Sequence, residues 1–231
     1  MRGRGLLVLS SLRFYANGGT RHEAVYHGRK PMTGETRRVV VGISGASGSL
    51  YGIRVLERLK DDASTETHLV ISSAGKRTLA AETTWSVREV EALADCVYDD
   101  RDVGASLASG SFRTAGMIVA PCSIKTLAAL ASCHADTLIA RAGDVTLKEG
   151  RPLLALVRET PLHVGHLRQM MALAEMGGIV FPPVPAFYWK PTTVAEIVDH
   201  TVARVLDRMG LGREPISEWT GGGRTPAPGG G

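Results

Sequence analysis

Three clusters in this 231-residue chain have residue types and spacing suited to chemistry. The first is GISGASG, residues 42–48, where an apolar run (Val39, Val40, Val41) leads into Gly42, Gly45 and Gly48, with Ser44 and Ser47 between them. Small residues at a strand-to-helix turn let backbone N–H groups approach an anion, often a phosphate. The spacing is G-x-x-G-x-x-G. It is not the dinucleotide G-x-G-x-x-G, it lacks the Lys-Ser/Thr pair of a P-loop, and it lacks the G-x-S-x-G of a nucleophile elbow. A tight turn with no ligand fits the same residues.

The second cluster is APCSIKTLAAL, residues 120–130, where Cys122, Ser123 and Thr126 follow the end of an apolar run at Pro121. Cys122 invites a nucleophile reading, but no His partner can be argued for it, and a small buried cysteine is the commoner case. The third cluster, residues 141–167, sets Arg141, Asp144, Lys148, Glu149, Arg151, Arg158 and Glu159 around one apolar strand. It reads either as a site at a strand end or as a solvated charged loop. His163 and His166 are spaced H-x-x-H. Without an H-E-x-x-H pattern, capping or packing roles are favoured over metal binding.

The elements that must position these clusters alternate. Apolar strands are expected near 38–43, 67–73, 115–123, 152–159 and 178–183. Helices are expected over 49–60, 74–84, 124–133, 163–177 and 193–210. This alternation predicts an α/β fold, a parallel sheet with helices on both faces. Ligands in such sheets sit beyond the carboxyl ends of the strands.

Net charge is +4, but it is unevenly spread. Residues 1–38 hold eight Arg or Lys against Glu23 and Glu35, whereas the remainder has 19 basic and 21 acidic residues. The folded part is thus slightly acidic, which argues against a general nucleic-acid surface. No apolar run approaches the roughly 20 residues that span a bilayer. Three cysteines, Cys96, Cys122 and Cys133, fit a reducing compartment and hence a cytoplasmic protein. Residues 1–37 read as a flexible basic extension and 38–212 as one domain. Residues 213–231 read as a C-terminal segment with a Gly/Pro tail. Met32 is a candidate start, and the Arg-rich, acid-poor beginning also fits an organellar presequence.

Six stretches in order, GISGASGSLYGIR, VISSA, ASGSF, MIVAPCSIKTLA, RAGDVTLKEGRPLLALVRETPLHVGHL and PPVPAFYWKP, resemble the UbiX/Pad flavin prenyltransferase family from about Val39 to Leu211. The resemblance implies a flavodoxin-like Rossmann fold and a homo-oligomer, commonly a dodecamer, with active sites where subunits meet. It implies FMN contacts from Gly45, Ala46, Ser47, Ser72, Ser123, Ile124, Lys125, Thr126 and Arg141. It places Tyr188 and Arg204 on a prenyl phosphate, and Lys148, Arg158, Glu159 and Glu82 in the catalytic set. Trp219 resembles a tryptophan in a C-terminal segment that closes over the site. Two positions depart from the pattern: Gly150 where the family usually has Arg, and Val157 where Pro is frequent.

The reaction so implied joins a dimethylallyl group, from dimethylallyl monophosphate, to reduced FMN without a metal. It yields prenylated FMN for a UbiD-type decarboxylase. The residue types suit that chemistry. Lys148, Arg158 and Arg204 would stabilise the departing phosphate. Glu159 would move a proton. Tyr188 and Trp219 would shelter allyl-cation character. Two alternatives are an FMN-dependent cysteine decarboxylase and a flavin-binding regulatory subunit without catalysis. The loop PAFYWKP, in place of a PAMN-like loop, disfavours the first; retention of the charged cluster disfavours the second.

Overall fold

The computed structural model describes residues 25–26 and 36–212. Alternation along β2 (Arg37–Ile43) decides the layering. Val39, Val41 and Ile43 enter one hydrophobic core and Val40 the other. Successive side chains of a strand point to opposite faces, so a strand apolar on both must be covered on both. β3 (Thr65–Ile71), β5 (Gly116–Cys122) and β6 (Leu153–Val157) are likewise buried along their whole lengths. With the shorter β4 (Cys96–Asp99) and β7 (Ile179–Val180) they form a parallel sheet in the order β4-β3-β2-β5-β6-β7. Counting parallel strands along the chain, the order is 3-2-1-4-5-6, with its switch point between β2 and β5. The parallel α/β class read from the sequence is the class observed.

One face carries α1 (Ser49–Lys60), α2 (Ser73–Glu82), α3 (Val87–Glu91) and α7 (Val194–Arg208). The other carries α4 (Ile124–Ala131), α5 (Leu138–Lys148) and α6 (Val164–Glu175). Single 3-10 turns lie at Ser106–Ala108 and Phe187–Trp189. Ser and Thr side chains serve as helix caps. Ser72, Ser123, Thr137 and Thr193 each accept a hydrogen bond from a backbone N–H in the first turn of α2, α4, α5 and α7.

Four elements depart from the expected pattern. Residues 138–148, for which no element was expected, form α5. Its apolar positions Leu138, Ile139, Ala142 and Val145 follow a helical period, masked by poor helix formers such as Gly143, Asp144 and Thr146. Gly143 leaves room there for Leu130 on α4, whose Cδ2 would stand 2.2 Å from an added Cβ. The pair α3 and β4 was not foreseen, being only five and four residues long. Finally, Val25–Tyr26, inside the segment read as an extension, forms β1 and pairs antiparallel with Val97 and Cys96 at the β4 edge. A chain starting at Met32 would lose that edge pair.

Helix α1 lies very close to the switch point. A Cβ on Gly52 would stand 2.3 Å from the Ala120 carbonyl oxygen and 2.9 Å from Ile43. Overpacking of this kind typically costs about 1–3 kcal/mol. Gly52→Ala should therefore lower the urea denaturation midpoint by a corresponding amount. An unchanged midpoint would mean that α1 slides away from β5 without penalty.

Candidate functional site

The loops after β2 and β5 meet at the switch point, and one serine side chain stitches them. Ser44 Oγ donates to the Pro121 carbonyl at 2.8 Å and accepts from Ser123 N–H at 2.7 Å. The Ser44 N–H donates to the same carbonyl. The loop after β6 joins them, because Arg158 N–H donates to the Cys122 carbonyl at 3.1 Å. Gly45, Ala46 and Ser47, the cap Ser72, and the Ser123–Thr126 turn therefore lie together beyond the strand ends. Gly45 has no room for a side chain: a Cβ would stand 2.5 Å from that of Ala74 on α2. Ser123 Oγ and Thr126 Oγ1 are 3.1 Å apart, and Lys125 is exposed beside them. Arg141 sits in the first turn of α5, ion-paired with Asp144 at 2.6 Å. That helix start is tied to the end of β4 by Leu138 and Ile139, which donate to Asp100.

Glu82 has a definite structural role. Its carboxylate accepts from Gly48 N–H at 2.9 Å and from Ser49 N–H at 3.2 Å, fixing the glycine turn at the start of α1. Burial pushes its carboxyl up, but hydrogen bonds from Ser47, Gly48 and Ser49 outweigh this and hold it below its usual value. Glu159 and Arg158 are both exposed, and Glu159 Oε1 accepts from Thr160 N–H at 3.1 Å.

Tyr188 and Arg204 reach the site from the chain's last third. Arg204 lines a cavity of about 260 Å³ with Val180, Phe181, Pro182, His200 and Thr201. Tyr188 meets the edge of His200 with ring centroids 6.4 Å apart, while Trp189 packs on the same ring at 4.7 Å. The sequence reading missed two residues here. Tyr51, on the first turn of α1, hydrogen-bonds the Thr201 side chain; burial raises its pKa, opposed by that bond and by the charge of Arg158. Tyr51 thus links the Arg158 loop to α7, one turn before Arg204. His200, held below its usual pKa by burial and then by Arg204, anchors the Phe187–Trp189 turn on α7. The available signals were Tyr51 within the glycine motif and the four-residue spacing of His200 from Arg204.

One expected residue lies elsewhere. Lys148 precedes β6 and pairs with Glu149 at 2.5 Å, close to Gly110, whereas Arg158 and Glu159 follow β6. A five-residue strand is about 16 Å long, so one chain holds Lys148 and Glu159 at opposite ends of the sheet. Gly150, the departure from the family pattern, has φ +65° just after α5, a left-handed position that glycine takes without strain. Val157 is buried in the last position of β6. Trp219 lies outside the described residues. Cys122 is fully buried, and burial pushes its thiol up to about 12, which removes it as a nucleophile. His163 caps α6 by accepting from Gly165 N–H, and its ring stacks on that of His166 with centroids 3.6 Å apart. Capping and packing are thus the observed roles.

The Glu82 contacts carry a pH signature. Glu82→Gln should cost about 0.3–1 kcal/mol at neutral pH, the range for an exposed charge at a helix start. The folded carboxyl titrates below the ordinary 4.5. Its contribution is therefore present above that value and is lost as pH falls through the lower folded pKa. Denaturation midpoints of both proteins at neutral pH and at about pH 3 check this. An equal gap at both would remove the charge as its cause.

The family model described as Flavoprotein matches residues 27–206. The flavin prenyltransferase UbiX of Salmonella typhimurium is 55% identical over 175 residues, covering 76% of this chain and 93% of its own. The crystal structure of AnUbiX (PadA1), solved with FMN and dimethylallyl pyrophosphate, superposes with a TM-score of 0.78 at 45% identity, over 81% of this chain and 99% of that one. A dodecameric FMN-dependent UbiX-like decarboxylase from Escherichia coli O157:H7 gives a TM-score of 0.78 at 49% identity, over 80% of this chain and 100% of that one. With these likenesses spanning the sheet, the switch-point loops and the Arg158–Glu159 turn, the chain belongs to the flavoprotein family, among its UbiX flavin prenyltransferases.

Proposed function

We propose that this protein transfers a dimethylallyl group from dimethylallyl monophosphate to reduced FMN, and that prenylated FMN leaves for a UbiD-type decarboxylase. The observation that carries the reading is the Arg158–Glu159 pair, set at the carboxyl end of β6 and tied to the switch point through Cys122. The donor set fits a flavin. The backbone at Gly45, Ala46 and Ser47, the hydroxyls of Ser72, Ser123 and Thr126, the Ile124–Lys125 helix start and the Arg141 guanidinium suit a flat polar ring and its phosphate. FMN, as acceptor, supplies the nucleophile, so the protein need not.

Each side chain then has a task. Arg204, at the cavity beside Tyr188, receives the prenyl phosphate and offsets its growing charge as the carbon–oxygen bond breaks. The Tyr188 ring, half exposed, faces cationic carbon. Glu159 moves a proton, either to the leaving phosphate or away from the flavin during ring closure. Arg158 adds positive charge beside it. Glu82 acts at the site through the glycine turn it fixes. Trp219, in the 213–231 segment, would close over the donor. The domain doing this is read as 38–212 with 1–37 as an extension, although Val25–Tyr26 of that extension adds an edge strand and Arg37 opens β2. We place the protein in the cytoplasm; among the described residues no helix is long and apolar enough to cross a membrane.

Lys148 joins the site only from a second copy, since its own Glu159 lies a strand length away. The chain also exposes Leu162, Val164, Leu167 and Met171 on and before α6, with Phe187 and Trp189 nearby in sequence to the donor site. Such a set calls for cover by protein. A homo-oligomer, a dodecamer as in the E. coli O157:H7 relative, supplies both the cover and the lysine.

Two experiments check the reading. The protein, reduced FMN and dimethylallyl phosphate, incubated without oxygen, should give a flavin heavier by one dimethylallyl group. Glu159→Gln should slow that conversion about 10²- to 10⁴-fold with FMN still bound. Turnover at the wild-type rate would remove Glu159 from the mechanism. Second, Lys148→Ala and Glu159→Gln chains, each inactive alone, should recover part of the activity when co-expressed. Mixed oligomers would contain sites with an intact lysine from one chain and an intact glutamate from another. No recovery would place both residues in one chain's site.

A further inference from the structure

Away from the switch point, toward the amino end of β3, three side chains of different chemistry converge in the protein interior. Glu66 and His68 lie two residues apart on β3 and share one face; Cys96 is the β4 neighbour of His68. All three are buried, His68 and Cys96 completely. His68 Nε2 is 3.4 Å from Glu66 Oε1, and Cys96 Sγ is 3.9 Å from the same oxygen. The three ligand atoms lie within 4.8 Å of one another. Zinc bound at about 2.0–2.3 Å to nitrogen, oxygen and sulfur in a tetrahedron sets its ligand atoms about 3.3–3.6 Å apart. The two Glu66 separations, 3.4 and 3.9 Å, lie close to these values, and side-chain rotation would draw the third pair inward.

The surroundings of His68 sharpen this. Its Nδ1 stands 3.0 Å from the Tyr98 hydroxyl, which is itself 3.2 Å from Ser106 Oγ. With Nδ1–H donating to Tyr98 and Tyr98 donating to Ser106, Nε2 carries a bare lone pair. Metal-bound histidines are oriented through the second ring nitrogen in this way. Nε2 is buried and has no hydrogen-bond partner, although a carboxylate oxygen lies 3.4 Å away. In that tautomer Nε2 presents a lone pair to an anionic oxygen, a repulsive arrangement that a cation between them relieves. The outer carboxylate oxygen, Glu66 Oε2, takes Arg38 at 3.7 Å. Phe112 closes the group, edge-on to His68 at 5.2 Å and under the Arg38 guanidinium at 4.7 Å.

We propose that Glu66, His68 and Cys96 bind one zinc ion that ties β3 to β4. A mixed thiolate, imidazole and carboxylate set favours this ion over magnesium or calcium, which take oxygen ligands. Binding replaces the Cys96 S–H bond by a sulfur–zinc bond and releases that proton to solvent. The site serves the fold rather than the transfer reaction. It lies on the α5 face of the sheet, on the far side of β2 from β6, whose carboxyl end carries Arg158 and Glu159. Its position under the β1–β4 pairing, where Tyr26 stands opposite Cys96, puts it at the sheet edge.

Cobalt(II) is the probe, because a cobalt–thiolate bond absorbs in the near ultraviolet and tetrahedral cobalt absorbs in the visible. The full chain, produced in zinc-depleted medium supplemented with cobalt, should purify with about one cobalt per chain and show both absorptions. Cys96→Ser should lose the thiolate absorption, while Cys133→Ser and His163→Ala, which alter exposed cobalt ligands elsewhere, should keep it. Absence of bound cobalt in the wild-type chain would overturn the proposal, as would a thiolate absorption that survives Cys96→Ser. Should the serine variant fail to fold, X-ray absorption on the zinc-loaded wild-type chain decides. One sulfur neighbour at about 2.3 Å supports the site, and a shell of nitrogen and oxygen alone refutes it.

Discussion

Ser44 is the contact on which the rest of the site depends. Its hydroxyl joins the loops after β2 and β5 across the switch point, donating to Pro121 and accepting from Ser123. It is almost wholly buried, so both bonds form out of reach of water. An unmet partner there would cost about 1–3 kcal/mol. The stitch brings two helix starts, those of α1 and α4, to one point beyond the sheet. Gly45 and Gly52 then let α2 and α1 close to distances at which a Cβ would overlap its neighbour. Rigid packing under the loops means that the backbone donors are set before any ligand arrives, which is the condition for binding without a reorganisation cost.

Much of this was legible in the sequence, for identifiable reasons. The glycine loop announced itself because close approach excludes side chains. The caps Ser72 and Ser123 announced themselves because they follow apolar runs and open helices. Both signals are local. What remained hidden depends on distant partners. Glu82 is an acid on a helix surface until the fold carries Gly48 to it, 34 positions away in sequence. Tyr51 gains its meaning only when Thr201 and Arg158 arrive from elsewhere in the chain. Helix α5 was obscured because Gly143 weakens local propensity, yet that glycine gives Leu130 its place against the helix. Tertiary packing overrode the local signal there.

On the proposed reading, the distribution of charge makes one chain an incomplete catalyst. Within the folded chain, Arg158, Glu159, Arg204 and Lys148 are all exposed. In water of high dielectric such groups do little for a departing phosphate; enclosed by protein they act far more strongly. Assembly is therefore part of the chemistry on the proposed reading. It covers the apolar residues of α6, raises the field at the phosphate, and brings Lys148 to a Glu159 that its own chain keeps a strand length away.

The same reading gives the burial of Cys122 a purpose. This thiol sits one residue from Ser123, at the edge of the loops assigned to the flavin. An allylic phosphate that ionises at such a site would alkylate any thiolate within reach, and the enzyme would lose the group meant for FMN. Nucleophilicity at sulfur belongs to the thiolate. Burial alone pushes the Cys122 thiol up to about 12, so almost none of it ionises near neutral pH. Its side chain is buried in the core cluster that includes Val119, Leu127 and Val157, and its Sγ points to the Ser123 carbonyl at 3.6 Å. A side chain that could compete for the donor is thereby reduced to a packing element, and the flavin is left as the nucleophile that the site presents.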